Sequence, residues 1–114
     1  MSQIDQSPDE DRQQRQRRAE MARALARGGM EGVQVLSRES AQVVLTEKRQ
    51  ELIEALRKDD IESVRGLARA VDRDKGQVSR DLKVLAEHGV ISYEDTGRAK
   101  RPYVVQEHIT VEPI

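Results

Sequence analysis

The chain has 114 residues, a length that fits one compact domain, and a net charge of −1, so any affinity for nucleic acid has to come from cations concentrated locally. Hydrophobic and charged residues each make up 36%; with two tyrosines and no phenylalanine or tryptophan, the chain can build only a modest core of Leu, Val, Ile and Ala. The absence of cysteine excludes disulfides and thiolate metal sites, and the apolar runs fall far short of the roughly 20 residues that span a bilayer.

Residues 1–10 are polar, contain Pro8, and are expected to be disordered. Residues 9–27 are strong helix formers with few apolar positions beyond Met21, Leu25 and alanines, which predicts a marginal helix that orders on a partner. Gly28, Gly29 and Gly32 interrupt it. Residues 32–37 (GVQVLS) read as a short strand, after which Ser37 or Ser40 can open a short helix carrying Ala41, Val44 and Leu45. Thr46 is the better cap, for a helix over 47–58 with Leu52, Ile53 and Leu56 on one face. Ile61 and Glu62 fit a one-bridge strand.

Ser63 caps a helix over 64–71, with Val64, Leu67, Ala68 and Val71 inward. Asp72-Arg73 forms a turn, and a further helix over 75–88 turns Val78, Leu82, Leu85 and Ala86 inward, with Gly89 as its C-terminal cap. Strands are expected at 90–94 and 103–106, with turn chemistry in Asp95-Thr96-Gly97, and a third short strand at 108–111. Tyr93 and Tyr103 flank the hairpin and are placed to pair across it. The resulting fold class is mainly α with a small β-hairpin (α+β), a winged helix-turn-helix over 32–114, preceded over 1–31 by a helical or disordered extension.

From Leu67-Ala68 through Val90-Ile91 the sequence resembles the winged-helix transcription regulators, most closely the MarR-like group, in the pattern LA…V followed by VSRDLKVLAEHGVIS. Within that group LTEKRQELIEAL and GRAKRP look like a family of small archaeal and bacterial DNA-binding proteins, with the resemblance covering about residues 34–114. Three positions depart from the usual pattern: Asp72 stands where the turn often has glycine, Arg73 where it is commonly apolar, and Gly66 where a glutamate often completes a capping box.

The resemblance implies sequence-specific binding of double-stranded DNA, with the helix at 75–88 entering the major groove. Arg80 is the leading base reader, because a guanidinium can donate two hydrogen bonds to guanine. Gln77 can read adenine, but with Asp74 it also forms a capping pair. Ser79 suits a phosphate oxygen or a base edge, and Lys75 and Lys83 suit phosphates, as do Ser63 and Arg65 at the start of the preceding helix. Arg98, Lys100 and Arg101 make a basic hairpin tip fit for a minor groove. The plainer reading of each charge is a solvated surface.

Residues 12–18 (RQQRQRR) form a second basic patch, offset by Asp9, Glu10 and Asp11, and fit an arm along DNA phosphates or a protein-binding segment equally. No catalytic constellation, metal-ligand spacing or cofactor motif is present, so an enzyme is not expected, and neither is a cofactor. The expected protein is cytoplasmic, a homodimer and not membrane-bound. The competing class is a protein-interaction module, such as an antitoxin whose N-terminal extension holds a partner protein.

Overall fold

The computed structural model describes residues 8–113. Of the stretch expected to be disordered, residues 1–7 lie outside the described residues, whereas residues 8–10 already belong to a helix. This helix, α1 (Pro8–Arg27), carries Asp9, Glu10 and Asp11 in its first turn, where they meet the positive end of the helix dipole. It ends in a reversal at Gly28-Gly29, with Gly29 at φ 98° and Met30 N donating to Leu25 O. Its half-buried side chains, among them Arg18, Met21, Ala22 and Leu25, lie on one side, and the helix packs along the first strand.

That strand, β1 (Val33–Leu36), pairs in parallel with β4 (His108–Val111), in the register Gln34↔Ile109 and Leu36↔Val111. Parallel sheets require cover on both faces. Leu36 and Ile109 turn to the core, while Arg18 of α1 reaches Glu112 at 3.3 Å on the other face. Both strands are legible from their own alternation, but their partnership joins the two ends of the domain and leaves no local signal.

Both expected caps are used, which makes two helices. Ser37, rather than Ser40, opens α2 (Arg38–Val44), accepting from Ser40 N at 3.0 Å, and Thr46 opens α3 (Glu47–Lys58), accepting from Arg49 N at 3.3 Å. The one-bridge strand expected at Ile61-Glu62 does not form. Ile61 is buried in irregular backbone, so its apolar character is satisfied by the core without a strand partner.

Ser63 caps α4 (Val64–Ala70) by accepting from Gly66 N at 2.9 Å. A Cβ at Gly66 would lie 3.2 Å from the Ser63 hydroxyl, so glycine suits this closely drawn cap. Asp72 then takes φ 54°, the left-handed geometry that Asp tolerates better than most residues. Asp74 caps α5 (Lys75–Glu87) through Gln77 N at 3.1 Å. The helix closes with Gly89 at φ 73° and Val90 N donating to Leu85 O.

Strands β2 (Ile91–Asp95) and β3 (Lys100–Val104) form an antiparallel hairpin. The second strand begins three residues earlier than its expected start at Tyr103. The register sets Asp95 opposite Lys100 and Glu94 opposite Arg101, so these basic residues lie in the ladder instead of in the turn; among the described residues only Arg101 closes an ion pair across it, with Glu94. Tyr93 stands opposite Pro102 and Tyr103 opposite Ser92, so the tyrosines lie on opposite faces and do not pair.

The architecture is α+β, with five helices and two two-stranded sheets among the described residues. Its core is aliphatic: Leu52, Leu67, Val78, Leu82, Leu85 and Val90 are fully buried, and among the described residues no polar or charged residue is. Helix α5 packs on α3, α4 and β2, which makes Leu82 central. Leu82→Ala should lower stability by about 2–5 kcal/mol, as a shift in the urea midpoint with unchanged slope.

Candidate nucleic-acid interface

The burial of Val78, Leu82 and Leu85 turns one face of α5 inward. On a helix this leaves Gly76 and Arg80 outermost, with Lys75, Ser79 and Lys83 on one flank and Gln77, Asp81 and Val84 on the other. Arg80, Lys83 and Gln77 are exposed.

The first flank borders a cleft of 560 Å³ lined by Ser63, Val64, Arg65, Lys75, Ser79, Arg98, Ala99 and Lys100. Six of the ten residues expected to meet DNA are thus brought together from α4, α5 and the hairpin. Arg65, Lys75, Arg98 and Lys100 form no ion pair among the described residues, so their charge is unspent on their own chain. The Ser63 oxygen is held by the Gly66 amide, which fixes the start of α4 while its hydroxyl proton stays available to an acceptor.

The hairpin tip is locally ordered. Gly97 N donates to Asp95 Oδ1 at 2.8 Å, Thr96 N donates to Ala99 O at 3.0 Å, and Thr96 Oγ1 exchanges bonds with the Ala99 backbone. Gly97 takes φ 87°, which a side chain would resist. Arg98 is presented from this closed loop. Arg101 is separated from it: on the opposite face of β3 from Lys100, it is paired with Glu94 at 3.1 Å and lies 5.5 Å from the Tyr103 ring centre. On the Lys100 face, partial burial raises the pKa of the Tyr93 hydroxyl above its ordinary value, which keeps it a neutral donor.

The second flank borders a separate cleft of 600 Å³, where Gln77 and Arg80 meet Thr46, Glu47, Lys48, Arg49, Arg73, Asp81 and Val84. Here Asp81 binds two guanidiniums at once, Arg73 Nη2 at 2.5 Å and Arg49 Nε at 3.2 Å. Arg49 also donates to Val43 O, and Arg73 to Lys48 O at 3.4 Å. The cluster ties α3 and the turn to α5. Lys48, Arg49 and Arg73 were not among the expected site residues: Lys48 and Arg49 are distant in sequence and only packing brings them to α5, while Arg73 read only as part of the turn before it. Lys83 lines neither cleft.

Both histidines sit outside these clefts. His88 closes α5, with Nδ1 3.0 Å from Val84 O, and His108 is exposed on β4. No group of three or more His, Asp or Glu able to hold a metal ion, and no helix long and apolar enough to cross a membrane, occurs among the described residues.

The model of the family HVO_A0114 matches residues 44–111. That span runs from the end of α2 through β4 and holds both clefts, while α1 and β1 precede it. Comparison with curated proteins gives no match.

The cap and the charge of the first cleft can be separated. Ser63→Ala should lower stability by about 1 kcal/mol. Ser63→Asp should retain the cap in the same urea titration while adding a negative charge beside Arg65 and Lys75.

Proposed function

The chain belongs to the HVO_A0114 family, and we propose that it is a winged helix-turn-helix, MarR-like regulator that binds double-stranded DNA sequence-specifically at promoters in the cytoplasm. One observation carries this reading. In a chain of net charge −1, four cations without ion pairs converge from α4, α5 and the hairpin on one cleft beside the exposed start of α5. Local concentration of cations in a near-neutral chain is what phosphate recognition needs.

In this reading α5 enters the major groove with Arg80 foremost and Ser79 and Gln77 beside it. Lys75, Lys83, Arg65 and Ser63 hold phosphates, and the hairpin acts as the wing, with Arg98 and Lys100 in the flanking groove. Arg101 has a smaller part, because Glu94 already satisfies its charge. A homodimer would set two reading helices about one DNA turn, roughly 34 Å, apart. Exposed Met30, Val43 and Val111 and the edges of the β1–β4 sheet supply surface for it.

A protein partner for the N-terminal extension is the second reading. It is favoured by α1, whose Arg12, Arg15, Arg17, Arg23 and Arg27 are all exposed. Deleting residues 1–27 would then abolish partner binding and leave DNA binding intact.

The central test is fluorescence anisotropy with DNA from upstream of the gene and with a scrambled duplex. Arg80→Ala should lose about 1–3 kcal/mol of discrimination between the two. Arg98→Ala and Lys100→Ala should each weaken both duplexes alike, and more than Arg101→Ala. Equal affinity of the unaltered protein for both duplexes would exclude sequence reading.

A further inference from the structure

We infer that the cleft between α3 and α5 seats a phosphate of the DNA strand opposite the one met by the hairpin; this rests on the DNA-binding reading above. Four cations face the cleft from three places: Lys48 and Arg49 from α3, Arg73 from the turn, and Arg80 from α5. Two carboxylates, Glu47 and Asp81, oppose them. Asp81 is shared between Arg73 and Arg49, and one carboxylate cannot neutralise two guanidiniums. Lys48 and Arg80 form no ion pair among the described residues. The cations lining the cleft therefore outnumber the carboxylates lining it, four to two.

The arginines are also held in place. The side chains of Arg73 and Arg49 are only 12% and 19% exposed, and each is anchored a second time on a backbone carbonyl. Fixed guanidiniums at a partly dehydrated surface bind phosphate oxygens more strongly than mobile, solvated ones. Asp81 acts here as a positioning residue, orienting both forks and drawing off part of their charge.

The placement selects DNA backbone over base edges. Lys48, Arg49 and Arg73 lie off α5, beside its flank, whereas groove-floor contacts belong to the helix itself. A helix in a major groove about 12 Å wide is bordered by a phosphate strand on each side. The hairpin cleft supplies cations to one of these strands, and the α3 cleft supplies them to the other.

The test measures the salt dependence of DNA affinity for the full chain, Lys48→Ala and Asp81→Asn, with circular dichroism to verify folding. Lys48→Ala should flatten the slope of log K against log salt by about 0.9 and leave the preference for upstream over scrambled DNA unchanged. Asp81→Asn removes the carboxylate charge while each guanidinium keeps its backbone carbonyl, so it should bind both duplexes more tightly at low salt with a steeper slope; a folded Asp81→Asn with weaker binding and a flatter slope would overturn the inference. Should Asp81→Asn fail to fold, the Lys48→Ala slope decides. Salt-dependent binding by the unaltered protein with an unchanged slope in Lys48→Ala would overturn the inference. So would stabilisation by inorganic phosphate that Lys48→Ala abolishes while the DNA slope stays unchanged, since the cleft would then take a small anion. Absence of salt-dependent binding by the unaltered protein would instead remove the DNA-binding reading itself.

Discussion

Val78, Leu82 and Leu85 are wholly buried on one face of α5, against α3, α4 and β2, and that packing fixes the rotation of the helix about its axis. A helix with one stripe locked in a core has no freedom in what it shows outside. Arg80 is turned outward at the border of the α3 cleft, Lys75 and Ser79 toward the hairpin, and Gln77 and Asp81 toward α3. The core has no aromatic ring to absorb misfit, so these aliphatic contacts carry the orientation by shape alone. Loosening them would blur both clefts together.

The polar side is organised by how charge is spent. Asp81 is the main internal acceptor, gathering Arg73 and Arg49 and tying α3 and the turn before α5 to α5. Glu94 satisfies Arg101, and Glu112 satisfies Arg18. Among the described residues the cations of the hairpin cleft have no such acceptor. A near-neutral chain thereby keeps a locally positive surface, and the distinction between paired and unpaired arginines separates structural charge from charge available to a ligand.

The β1–β4 sheet plays a different part. It brings the two ends of the folded domain side by side and gives α1 a surface to lie on. Gln34 also donates from β1 to His88 O at 2.9 Å, which connects this sheet to the far end of α5 from the cation-lined cleft.

Much of this was legible in the sequence. The apolar spacing of α3, α4 and α5 marked the core, and Thr46, Ser63 and Asp74 marked where those helices start, because capping and amphipathic periodicity are local and act within a few residues. The turn at Asp72 and the basic hairpin were readable for the same reason. What the sequence by itself determined is thus the set of helices, their inward faces and the cations near the start of α5. Tertiary structure alone decided the parallel pairing of β1 with β4, the early start of β3, the opposite faces of Tyr93 and Tyr103, and the meeting of Arg49 and Arg73 on Asp81. Each of these depends on strand register, on contact between residues far apart in the chain, or, for Arg73, on the direction in which the turn aims its side chain, and those are set by how elements pack together, which local patterns do not encode.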